Sequence, residues 1–302
     1  MREYYRHKGI VVYQCDNLEL LRTMSSRSVN LIYCDILYNT GKVFDDYNDN
    51  LGNAKQAIEW YRPRIEEMKR VLEKNGSIFI HCNWRLDSYI RILMDEIFGP
   101  ECFRNCIHRR HSKSRGFYSN FDSEMDTILY YVKDPTRFVF NETVGDKPQI
   151  VPLFENGYLE GRSEPRHTDE ALIDLGVICK HWLVSQKEFA EMLARDEVRI
   201  IDGLPYRYSN VIPVGNLWAS DDMLDTYSRT NTAAAYDTPK PEAVLERIIR
   251  TCSNPGDVVA DFFLGGGTTA VVAKKLGRKG IFCDINENAC ATTVAKLESI
   301  KK

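Results

Sequence analysis

The chain has 302 residues, 43% hydrophobic and 27% charged, with a formal net charge of -3. This profile supports a sizeable core in one large domain, or a domain with an insertion, and excludes a disordered chain; a net charge this small also means that any polyanion-binding surface must be local. No apolar run is long enough to span a bilayer, and the start MREYYRHKGI lacks a signal-like apolar core. The nine cysteines are odd in number, scattered and without a CxxC pair, so the expectation is a reducing cytoplasmic setting.

In chain order, GIVVYQCD (9–16) predicts a short strand and NLELLRTM (17–24) a helix. VNLIYCD (29–35) is a second strand, almost wholly apolar, as expected when both faces are covered. It runs into Ile36, Leu37, Tyr38 and the turn Asn39-Thr40-Gly41, so a carboxylate and an aromatic stand at the end of a buried strand. Ala54, Ile58, Tyr61, Ile65, Met68 and Leu72 recur at spacings of three and four, predicting an amphipathic helix over 54–74. Strand SIFIHC (77–82), a helix near 86–98 and strand TILYYVKD (127–134) come next. From about 140 to 235 the segments are short, charged and without a clean period. The alternation then returns with a helix (241–252), strand VVADFF (258–263), a glycine turn, a helix (268–276), strand GIFCDI (280–285) and a helix (288–300). The expected architecture is α/β, a mainly parallel sheet with helices on both faces, interrupted by an insert.

ADFFLGGGTTA (260–270) is a strand, a glycine-rich turn and a helix, and the next strand ends in Asp284, 23 residues after Asp261. Glycines let a ligand lie against the main chain, and an acid at the next strand end can bind ribose hydroxyls, so the pattern points to a nucleoside cofactor. The loop is neither GxGxxG nor a Walker A, and a plain tight turn is the alternative.

DFFLGGGTTA is similar to the segment D-P-F-x-G-S-G-T-T, DILY (35–38) to D-P-P-Y, and YDTPKPEAVLERII (236–249) to Y-P-T-Q-K-P-E-x-L-L-x-R-I-I. In these segments and their order the chain resembles the β class of S-adenosylmethionine-dependent DNA amino-methyltransferases, over 9–140 and 236–300. The resemblance implies a Rossmann-like methyltransferase sheet in a catalytic domain, 1–139 with 236–302, and a target-recognition insert, 140–235. It implies that Asp261, Phe263, Gly265, Gly267, Thr268 and Thr269 hold the cofactor, S-adenosylmethionine. Asp284 would take the ribose and Lys240 the cofactor carboxylate. Asp35 borders the same site, and Asp16 is either an acid near the cofactor adenine or a helix N-cap. For catalysis, the Asp35 side chain and the Ile36 carbonyl would accept the hydrogens of an exocyclic amine, and Tyr38 would stack on a flipped base. Asp at the first motif position favours adenine-N6 over cytosine-N4.

This chain departs from the family pattern at Ile36-Leu37, where the two prolines are replaced. Proline would stiffen the turn, so restoring Pro-Pro is expected to leave activity equal or higher. The loss also supports a rival expectation, a non-catalytic partner that binds cofactor and DNA. Methylation of a protein glutamine is a further alternative, disfavoured by Asp35. Arg109, Arg110, Lys113 and Arg115, with Phe117, Tyr118 and Phe121 just after, form a candidate phosphate-binding cluster for double-stranded DNA. Cys102, Cys106, His108 and His111 match no standard zinc spacing, so no metal is expected. A homodimer or a restriction-modification partner fits the resemblance.

Overall fold

The computed structural model describes residues 1–41, 49–110, 123–141, 144–153, 184–202, 204–211, 215–219 and 240–300. It divides into two compact units, Met1–Asn141 with Gly215–Lys302, and Glu142–Val214.

The first unit opens with β1 (Arg2–His7) and β2 (Ile10–Gln14), an antiparallel hairpin. Its turn residues Lys8 and Gly9 both have positive φ, 46° and 82°. Such a turn matches the strand twist. Helix α1 (Asn17–Thr23), β3 (Val29–Asp35), α2 (Ala54–Val71), β4 (Leu72–Cys82) and α3 (Asp87–Phe98) come next, then β5 (Phe103–Arg110) and β6 (Met125–Val132). The second unit holds β7 (Val144–Pro152), α4 (Gln186–Ala194), β8 (Val198–Ile201) and β9 (Leu204–Val211). Its sheet is antiparallel in the order β7-β9-β8, with a small core of Leu153, Phe189 and Met192. The chain returns through β10 (Leu217–Trp218), α5 (Glu242–Cys252), β11 (Val258–Asp261), α6 (Thr268–Lys275), β12 (Lys279–Asp284) and α7 (Glu287–Ser299).

The nine strands of the first unit pair in the order β1-β2-β12-β11-β3-β4-β6-β5-β10. From β2 to β4 all neighbours are parallel, and β6 runs antiparallel between β4 and β5. The chain steps outward from β3 through α2 to β4, and outward the other way from β11 through α6 to β12. Right-handed crossovers in opposite directions put α2 and α6 on opposite faces, which opens a crevice beyond the carboxyl ends of β3 and β11. Asp35 and Asp261, the last residues of those strands, therefore border one crevice. The central strands are apolar because helices cover them. Leu31, Ile32, Ile78, Ile80 and Val259 are all fully buried.

Several strands depart from the sequence expectation: β7, β9 and β8 form a sheet where no clean period was read, and β10, inside the expected insert 140–235, pairs with β5 of the first unit. β1 is an additional edge strand. β5 occupies 103–110, where the charged cluster suggested a loop. Its period of two buries Ile107 and Arg109 and exposes Arg110.

Candidate active site

The glycine turn is braced from within by its own acid. Asp261 is buried, and its carboxylate accepts from Phe263 N at 3.0 Å and Thr269 Oγ1 at 2.6 Å. Burial pushes the Asp261 carboxyl up to about 7, against those two donors, and the nearby charges of Asp35 and Asp284 add to the rise. Gly265 (φ 50°) donates its N–H to Asp284 Oδ2 at 2.8 Å. Gly267 (φ 78°) starts α6 in the left-handed region, and a Cβ there would collide with the Thr293 side chain. Thr268 is the first residue of α6. Phe263 is half-buried against Trp60 and Tyr61, at ring distances of 6.2 and 6.3 Å.

A folded-state pKa near 7 exceeds the ordinary carboxylate value, so the stability tied to Asp261 is present in acid and lost as pH rises through 7. The difference in Tm, wild type minus Asp261→Asn, should therefore fall between pH 5 and pH 8 in thermal melts. A pH-independent difference would contradict this.

On the other side of the crevice, Asp35 pairs in register with His81 of β4. Tyr38 Oη donates to Asp35 Oδ1 at 2.9 Å. Burial, and after it the Asp35 charge, pushes the Tyr38 hydroxyl well above its usual pKa, so it stays a donor. Lys240 Nζ lies 3.1 Å from Asp35 Oδ2 and donates to Tyr38 Oη at 3.0 Å. The turn after Tyr38 is held by buried Asp49, whose carboxylate accepts from Asn39 N and Thr40 N, each at 2.9 Å.

Behind Asp35 lies a buried polar chain. His81 is fully buried and its Nδ1 is 2.8 Å from Tyr33 Oη and 3.7 Å from Asp35 Oδ1. Its Nε2 faces Asp126 Oδ2 at 3.4 Å. Burial lowers the His81 pKa despite the pull of Asp35, so the ring is neutral. Asp126 Oδ2 accepts from Arg109 at 2.9 Å. Burial opposes the Asp126 charge, yet His81, Lys240 and Arg109 hold its carboxyl far below the usual range.

This corrects the expectation for Arg109. Its side chain is fully buried, with its guanidinium on Asp126, so it offers nothing to a phosphate. Arg110 is exposed beside Glu124 at 3.3 Å, while Lys113 and Arg115 lie outside the described residues. Of the two readings of Asp16, the N-cap is the one the geometry occupies. Asp16 Oδ1 accepts from Leu18 N at 2.8 Å, and Oδ2 binds Arg64 at 2.8 Å. Cys106 Sγ lies 3.8 Å from His108 Nε2, and the described residues hold no group of three metal-ligating side chains.

The proline question also has a structural answer. Ile36 N donates to the His81 carbonyl at 3.1 Å, and Tyr61 Oη donates to the Leu37 carbonyl at 2.9 Å. Hydrogen bonds hold the turn that prolines would otherwise stiffen. Proline at 36 has no N–H to give, so Ile36→Pro should cost about 1 kcal/mol or more in denaturant titrations. The expectation of equal or higher activity with both prolines therefore carries a cost in stability. An unchanged or raised midpoint for Ile36→Pro would contradict this cost.

A family model described as DNA methylase matches residues 29–295. The Type II methyltransferase M1.MboII of Moraxella bovis is 65% identical over 282 residues, covering 91% of each chain. The DNA adenine methyltransferase YhdJ of Escherichia coli K12 is 29% identical, covering 94% of this chain and 81% of its own. Among solved structures, the cytosine-N4-specific PvuII DNA methyltransferase superposes with a TM-score of 0.62 at 14% identity, covering 100% of this chain and 90% of its own. The M1.HpyAVI–SAM complex gives 0.52 at 18% identity, covering 95% and 98%. A mainly parallel sheet, a braced glycine turn facing a carboxylate at the end of the neighbouring strand, and a family match over most of the chain agree: the chain belongs to the N6/N4 DNA methylase family.

Proposed function

We propose that the chain is a site-specific adenine-N6 DNA methyltransferase using S-adenosylmethionine. The observation that carries this reading is Asp35, a carboxylate at the crevice end of β3 whose two oxygens already receive an O–H and an ammonium. Family resemblance favours adenine for Asp at this position. Cytosine-N4 methylation is the rival, because an exocyclic amine on either base presents the same hydrogens.

The residues fit the cofactor. Gly265 and Gly267 keep side chains off the loop at those two positions, Asp284 supplies an acid at the strand end, and Lys240 supplies a cation. When bound, S-adenosylmethionine supplies an electrophilic methyl group on a sulfonium. An exocyclic amine is a poor nucleophile because its lone pair is delocalised into the base ring. Asp35 and the Ile36 carbonyl would draw its hydrogens toward a tetrahedral arrangement and stabilise the positive charge that develops on nitrogen, one of whose protons then leaves to Asp35 or to solvent. Tyr38 stacks on the flipped base, and holding nitrogen, methyl carbon and sulfur in line supplies much of the rest. Arg110, Lys113, Arg115 and the residues of 140–235 contact DNA, the latter reading the target. The protein works in the cytoplasm, in a restriction-modification setting and as a candidate homodimer. Among the described residues no helix is long and apolar enough to cross a membrane.

The non-catalytic alternative rested on Ile36-Leu37, and the two hydrogen bonds that hold this turn favour a working site. Gly267→Ala should remove cofactor binding in calorimetry. The left-handed backbone alone costs about 1–2 kcal/mol, and the collision with Thr293 disturbs the loop. Unchanged affinity would place the cofactor elsewhere. The function itself is tested by transfer of a labelled methyl group to duplex DNA. Label in adenine supports the proposal; label in cytosine gives the rival.

A further inference from the structure

Both oxygens of Asp35 are engaged in this structure. Tyr38 Oη donates to Oδ1 at 2.9 Å, and Lys240 Nζ stands 3.1 Å from Oδ2 and 3.0 Å from Tyr38 Oη. An ammonium held between a carboxylate and a tyrosine presents what a base amine would present, a nitrogen whose hydrogens point at Asp35. The side chains of Lys240 and Asp35 are 12% and 25% exposed, so water screens this pair less than a surface ion pair. Lys240 immediately precedes Pro241, the N-cap of α5, so its backbone is anchored while its four-carbon stem can swing. A target amine cannot reach Asp35 Oδ2 until this ammonium leaves.

We propose that Lys240 is an exchangeable stand-in for the target amine. The cofactor carboxylate draws its ammonium off Asp35, so cofactor loading opens the base site. This rests on the functional reading above and adds an order of binding to it, cofactor before base. Coupling of this kind is reciprocal. The hold of Asp35 on Lys240 weakens cofactor binding by the same factor by which the cofactor frees Asp35.

The test needs no DNA. S-adenosylhomocysteine and 5′-methylthioadenosine, which lacks the amino-acid carboxylate, are titrated calorimetrically into wild type, Asp35→Asn, Lys240→Met and the double variant. Asp35→Asn should tighten S-adenosylhomocysteine about fivefold or more, the usual scale of such coupling, and leave 5′-methylthioadenosine unchanged. Lys240→Met should weaken S-adenosylhomocysteine, and adding Asp35→Asn to it should then change nothing. Asp35→Ser supplies the same release of Lys240 should Asp35→Asn fail to fold. Unchanged or weaker S-adenosylhomocysteine binding in the Asp35 variants, or an equal effect on both ligands, overturns the exchange while leaving the cofactor site intact. A folded wild type that binds neither ligand overturns the cofactor reading and the exchange together.

Discussion

Asp35→Ala is expected to slow methyl transfer by roughly 30- to 1000-fold, about 2–4 kcal/mol of transition-state stabilisation, the scale for one preorganised hydrogen-bonding group. The fold should survive, because the Asp35 side chain lies at a strand end and is one-quarter exposed, while β3 stays paired through its backbone to β4 and β11. Single-turnover rates and thermal melts separate the two effects. Near-normal turnover in a folded variant would show that another group accepts the amine hydrogens. Tyr38 and Lys240 both lose their carboxylate partner in this variant, so some of the loss reflects their release and not the missing acceptor alone.

Arg109→Ala should have its main effect on stability. Removing one member of a buried ion pair leaves the other charge uncompensated, at a cost of about 3–5 kcal/mol. Here the remaining group is Asp126, itself buried, which would keep His81 at 3.4 Å but lose its guanidinium beneath Asp35. The variant should therefore unfold at much lower denaturant and lose activity through the collapse of this support. Arg110→Ala makes the contrast. It should leave the denaturation midpoint nearly unchanged and lower the salt slope of DNA binding by about one unit if it meets a phosphate. An Arg109 variant of normal stability, with weakened DNA binding, would return this residue to the DNA surface.

The two halves of the site differ in how far sequence could reveal them. The Asp261–Thr269 turn and the Asp35–Tyr38 strand end were legible because each is local. A buried strand must end at the crevice, and the residues just beyond it form either a turn or a ligand contact. The chain of His81, Asp126 and Arg109 was not legible, because these residues meet only through the register of β3, β4, β6 and β5. The antiparallel insertion of β6 has no local signal. A histidine inside the apolar run SIFIHC was the one available hint, since a buried imidazole needs partners. Arg109 misled because charge clusters are usually solvated, and its strand period became visible only once β5 paired with β6. The capping role of Asp16 and its pair with Arg64 show only in where its two oxygens go.

Adenine-N6 methylation through Asp35 is tested most directly by nucleoside mass spectrometry on unmethylated genomic DNA after incubation with the protein and methyl-labelled S-adenosylmethionine, run beside Asp35→Ala. Labelled N6-methyladenine is expected with the wild-type protein and little or none with the variant. Labelled N4-methylcytosine, equal labelling by the variant, or no labelled base from a wild-type protein that binds cofactor and DNA would contradict it.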